Sequence, residues 1–204
     1  MYNRGVEKRE IFLDSDDYRT FLFLLKFYLS PKNSFKGSDP KMGYYIKKNL
    51  NGRIELLAYC LMSNHFHLLV RQSAKDGITD LMRCVNTSYV AYFNKRYARV
   101  GALFAGKFKA VLVESEPYLL HLSRYIHLNP ASIGKDFVTY NFSSYLDYLT
   151  KRKTSWLNSK VILDYFKRAK RQDIGDYFAY QSFVEDSRVN SEEVVGDLII
   201  ETSR

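Results

Sequence analysis

The chain has 204 residues, 46% of them hydrophobic, and carries 31 Lys and Arg against 22 Asp and Glu, a net charge of +9. That is enough for one domain with a real core and a small appendage, and the positive balance points to a polyanionic partner. Cys60 and Cys84 are the only cysteines and form no C-x-x-C pair, which excludes a disulfide framework and a zinc–thiolate site. No apolar run approaches a membrane span, and the opening MYNRGVEKRE is too charged for a secretion signal. A soluble cytoplasmic, nucleoid-associated protein is expected.

In chain order, residues 1–9 read as the end of a strand. DSDDYRTFLFLLKFYLS opens on Asp14 or Ser15 as a cap, has acids in its first turn and runs apolar to Leu29, so it predicts a helix. Residues 31–52, rich in Pro, Gly, Ser, Asn and Lys, read as a connection. RIELLAYCLM and HFHLLVRQ, joined by Ser63-Asn64, predict a β-hairpin. From Gly77 to Tyr97 the apolar positions Ile78, Leu81, Met82, Val85, Tyr89, Tyr92 and Phe93 have helical spacing. KFKAVLVES alternates and predicts a strand. SEPYLLHLSRYIHLN predicts a helix capped by Ser115 and stopped at Asn129 by Pro130. Three further helical stretches follow Phe142. From Gln172 onward, eight acids face two bases, a net −6 that leaves +15 on residues 1–171. The acidic tail is either solvated or able to compete with nucleic acid.

This order predicts an α+β fold, an antiparallel sheet with helices packed on one face, plus a small helical C-terminal extension. The expected division is residues 1–150 for the main domain and 151–204 for the extension and tail.

Two motifs carry chemistry. In SNHFHLLV, His65 and His67 share one strand face, about 7 Å apart along the strand. They are either ligands of one metal ion or polar residues that the strand tolerates. In RYIHLNP, Tyr125 and Asn129 are i and i+4 and share a helix face, while His127 points elsewhere. They are either a nucleophile with a third ligand or a core tyrosine with a helix-closing asparagine. Together the motifs describe a phosphodiester reaction. Only about 0.1% of a tyrosine is phenolate at neutral pH, so its electrophile must be activated, and a divalent ion does that. Attack by tyrosine conserves the phosphodiester energy in a phosphotyrosine. Candidate backbone contacts are Arg71, Lys95, Arg96, Arg99, Lys107, Lys109 and Arg124. Tyr92, Phe104 and Phe108 are candidates for base stacking, with core packing the better reading of Tyr92.

The ordered series NRGVEKREIF…DYRTFL, YCLMSNHFHLLV, NTSYVAYFNKRY…GALFAGKFKAVLVES, YLLHLSRYIHLNPASIG and YNFSSYLDY resembles the HUH single-tyrosine transposases, in particular the REP-associated tyrosine transposase branch. The resemblance spans residues 3–149. It implies a ferredoxin-like sheet with the histidines on a central strand. The metal ligands fall on His65, His67 and Asn129, and the catalytic tyrosine on Tyr125. The activity implied is metal-dependent (Mg²⁺ or Mn²⁺) cutting and rejoining of single-stranded DNA beside a hairpin, through a 5′-phosphotyrosine, in DNA transposition. Family members begin with a complete strand before NRG; here a shortened first strand is expected. Monomer and homodimer both occur in such proteins. Two other readings stand: a non-cleaving, domesticated regulator of the same fold that binds DNA or RNA hairpins, and a water-using phosphoesterase with Glu55 or Glu114 as carboxylate ligands.

Overall fold

The computed structural model describes residues 1–34, 48–168 and 176–186. Part of the expected connection and most of the acidic tail lie outside the described residues.

The sheet has three antiparallel strands, β1 (Tyr2–Arg4), β2 (Ile54–Met62) and β3 (His65–Gln72), in the order β1-β3-β2. β3 is therefore central. His67 pairs with Tyr2 on one side and Cys60 on the other; His65 pairs with Arg4 and Met62. The β2–β3 hairpin turns at Ser63-Asn64 as expected, and the first strand is short as expected.

The predicted strand at 107–115 is not regular. Tyr2 exchanges both backbone hydrogen bonds with Lys109 at 2.9 Å, and Gly5 bridges Phe104. Between those two bridges Gly106 takes φ +139°, which breaks the ladder. A three-residue β1 offers too few backbone groups to template a full neighbour.

One face of the sheet carries α1 (Ser15–Leu29) and α2 (Gly77–Arg96). The Asp14 carboxylate accepts from the Asp16 and Asp17 amides and starts α1. Phe21, Leu24, Leu25 and Tyr28 of α1 meet Leu81, Val85, Tyr89 and Phe93 of α2 over Phe66 and Leu68 of β3. At the open end of this layer the buried Asp17 carboxylate accepts from the Leu13 amide (2.8 Å), the Tyr92 and Tyr97 hydroxyls (3.0 and 2.9 Å) and Arg96 (2.9 Å).

The other face carries α3 (Glu116–Leu128). The Ser115 hydroxyl caps it by accepting from the Tyr118 amide. At Pro130 the helix does not simply stop. It tightens into a 3₁₀ turn, Asn129–Ile133, closed by Gly134 at φ +71°. A β-bulge between Leu56 and Ala58 switches the parity of β2. Ile54 and Leu56 face α1 and α2, as do Tyr59 and Leu61 beyond the bulge; Leu57, Ala58, Cys60 and Met62 face α3.

The stretches expected after Phe142 form α4 (Tyr145–Tyr148), α5 (Lys160–Arg168) and α6 (Asp176–Glu185). Ile162, Tyr180 and Val184 share the α3-side core. His127 lies at its centre, fully buried, between the Tyr180 hydroxyl and the Ser144 hydroxyl at 2.7 Å each.

Candidate functional site

The alternation of β3 puts His65 and His67 on the α3 side, where both are buried. Their ring centroids lie 5.1 Å apart with the planes at 88°. Tyr2, across the ladder, stands 5.5 and 5.1 Å from the two rings. The i, i+4 spacing on α3 holds in the structure: the Asn129 amide nitrogen donates to the Tyr125 carbonyl at 3.4 Å. Asn129 Oδ1 thereby faces His65 Nε2 at 3.4 Å. The Tyr125 ring meets the His67 ring edge-on, centroids 5.6 Å apart. Tyr125 is half-buried while Asn129 is buried. The four residues predicted from two distant motifs thus meet at one place, the α3 end over the centre of the sheet.

His127 points away from this cluster, as its spacing predicts. Burial pushes its imidazole down from the ordinary 6.5 to about 3, and the nearby Arg152 charge adds to this. It is a neutral structural histidine.

Among the described residues no three His, Cys, Asp or Glu side chains are grouped to hold a metal. The third donor near the histidines is an amide, not a carboxylate. Glu55 instead accepts from Arg71 (2.5 Å) and Asn158 (3.2 Å) near the far end of β2, and Glu114 is exposed in the segment before α3. Neither supports the water-using phosphoesterase.

The seven candidate backbone-binding residues separate. Lys95, Lys107 and Lys109 are exposed. Arg99 donates to Asn94 at 3.2 Å and lies over Phe93. Arg71 is exposed but engaged with Glu55. Arg96 is tied into the Asp14 and Asp17 carboxylates at 2.6 and 2.9 Å. Arg124 is a correction: it is buried, its guanidinium lies over the Phe183 ring, and it bonds the Phe183 carbonyl and His121. α6 covers it. Phe104 is a second correction, buried against Phe66 instead of open for stacking. Tyr92 packs against the core, as its helical spacing favoured.

Two site neighbours were missed. Arg4 pairs with His65 across the ladder and lies over the Tyr2 ring at 5.4 Å. Asn64 Oδ1 meets His65 Nδ1 at 2.6 Å. Asn64 was legible only as a turn residue, and Arg4 required the register of β1.

Part of the chain, residues 38–129, is similar to the IS200-like transposases. The family model, described as "Transposase IS200 like", matches residues 38–129. The matched stretch contains the hairpin with His65 and His67, all of α2 and α3, and ends on Asn129. β1 and α1 lie before it and the α4–α6 layer after it. No curated protein and no solved structure matches the chain. The IS200-like match supports a transposase-type function directed at DNA, in agreement with the basic charge of residues 1–171. No helix among the described residues is long and apolar enough to cross a membrane.

Proposed function

We propose that this chain is a metal-dependent, single-tyrosine DNA strand transferase of the HUH class, cutting and rejoining single-stranded DNA beside a hairpin. The observation that carries this is the meeting of His65, His67, Asn129 and Tyr125 at one spot on the α3 face of the sheet.

The donor set, two imidazoles on neighbouring positions of one strand face and an amide oxygen directed at one of them, suits several divalent cations, and the family resemblance implies Mg²⁺ or Mn²⁺ among them. When bound, the ion polarises the phosphodiester and orients its oxygens. His65, His67 and Asn129 would hold it. The buried Cys60 and Met62, beside the histidines on β2, keep water away from that side. Tyr125, on the more open side of the cluster, supplies the nucleophile. Its oxygen forms a bond to phosphorus as the P–O3′ bond breaks. The phenolic proton leaves to solvent and the released 3′ oxygen takes one up, giving a 5′-phosphotyrosine and a free 3′-OH. Attack by a 3′-OH on the phosphotyrosine reverses the step and seals a strand. Tyr2 and Arg4 wall the site on the β1 side, and the exposed Lys107 and Lys109 continue that wall outward.

A covalent-trapping gel tests this reading. The protein is incubated with a labelled hairpin library bearing single-stranded flanks, plus Mg²⁺ or Mn²⁺, with EDTA and Tyr125→Phe as controls. An SDS-resistant band that needs metal and Tyr125 is expected. Tight hairpin binding with no such band would instead identify a non-cleaving binder.

A further inference from the structure

The turn that precedes β3 does more than reverse the chain. Asn64 has two bonds that fix its orientation: its Nδ2 donates to the Lys8 carbonyl at 3.2 Å, so its Oδ1 is directed at His65 Nδ1, 2.6 Å away. An amide oxygen only accepts, so the short contact requires the proton of a neutral His65 ring to sit on Nδ1. His65 Nε2 then presents a lone pair. Across from it, Asn129 Oδ1 is also an acceptor, because its own Nδ2 is committed to the Tyr125 carbonyl. Two acceptors face each other at 3.4 Å. A positive centre between them would make this contact attractive.

The scaffold holding Asn64 is itself unusual. Residues 5–12 wrap the hairpin turn: the Gly5 amide donates to the Asn64 carbonyl, and the Ile11 and Phe12 amides both donate to the Ser63 carbonyl. Inside this wrap Glu7 and Lys8 adopt φ of 55° and 60°, a left-handed pair that side chains disfavour. A Cβ on Gly5 would lie 2.2 Å from the Arg9 carbonyl oxygen, so only glycine permits the path. The strained turn delivers the Lys8 carbonyl to Asn64.

We propose that Asn64 is a positioning residue: held by the strained turn at residues 5–9, it locks His65 in the tautomer that aims an Nε2 lone pair at Asn129 Oδ1, preforming a slot for a divalent cation. The slot's purpose rests on the function proposed above; the lock itself does not. Outer partners of this kind fix the tautomer and orientation of a metal-binding histidine.

Nitrogen-15 long-range correlation spectra of the metal-free full chain read the proton position on His65 directly. The expected result is a proton on Nδ1 in the wild type, retained in Asn64→Asp, whose carboxylate still accepts, and shifted to Nε2 in Asn64→Ala. Calorimetric titration with Mn²⁺ should then show affinity about 10–100-fold weaker in Asn64→Ala. A wild-type His65 protonated on Nε2 would overturn the lock without any variant. So would an Asn64→Ala tautomer identical to the wild type. A locked tautomer in a wild type that binds no Mn²⁺ would leave the lock standing and count against the cation site.

Discussion

The Tyr125 and His67 rings meet nearly at right angles, centroids 5.6 Å apart and planes at 86°. A helix residue and a strand residue 58 positions apart in sequence are therefore neighbours through their rings. Removing the Tyr125 hydroxyl leaves the ring packing in place. Tyr125→Phe is expected to fold and to bind hairpin DNA with an affinity within about twofold of wild type, yet to form no covalent adduct. An adduct surviving in that variant would place the nucleophile elsewhere.

Asn129→Ala removes one facing acceptor and one bond to the Tyr125 carbonyl. Mn²⁺ affinity should fall about 10-fold or more while thermal stability changes by about 1 kcal/mol. Calorimetry and thermal melts separate the two effects. Unchanged Mn²⁺ affinity would remove Asn129 from the ligand set.

Arg4 and Lys109 should differ from Arg96 in their response to salt. Arg4 is in register with His65, and Lys109 bridges Tyr2. Arg4→Gln or Lys109→Gln is expected to lower the slope of log affinity against log salt by about one each, since each phosphate contact releases about one counterion. Arg96→Gln should leave the slope alone. It should instead cost about 2–3 kcal/mol in urea denaturation, because the buried Asp17 carboxylate loses a charged donor. A reduced slope in Arg96→Gln would mean that the Asp14–Asp17 cage opens to DNA.

His127 gives the fold an acid limit. The unfolded chain takes up a proton at this imidazole near the ordinary 6.5, whereas burial holds the folded value near 3. Between those values the unfolded state binds more protons, so stability falls as pH drops through that window. The loss is on the order of a few kcal/mol. Urea midpoints at pH 7 and pH 4.5 should separate in the wild type and converge in His127→Gln. Equal separation in both would assign the acid sensitivity to other groups.

Much of the site was legible because its geometry is local. H-x-H on a strand forces two imidazoles onto one face, and Y-x-x-x-N on a helix forces a shared face; the family resemblance then joined them. The hairpin and the start of α1 at Asp14 were equally local. What escaped depends on distant partners. Arg124 read as a surface cation because nothing near it in sequence announces that Phe183, 59 positions later, will cover it. The strand expected at 107–115 had the right alternation but lacked a long enough neighbour. The bulge at Leu57 falls in an unbroken apolar run, LLAYCLM, in which either parity fits. Asn64 and Arg4 mattered only once the strand register was known.

The bonds of His127 to Ser144 and Tyr180 bear on how many chains make one working unit. Both partners follow the helix that carries Tyr125 and tie it to the start of α4 and to α6. For a site assembled within one chain, a mixture of Tyr125→Phe and His67→Ala proteins is expected to stay as inactive as either alone, and recovered cleavage would place the two groups on different subunits.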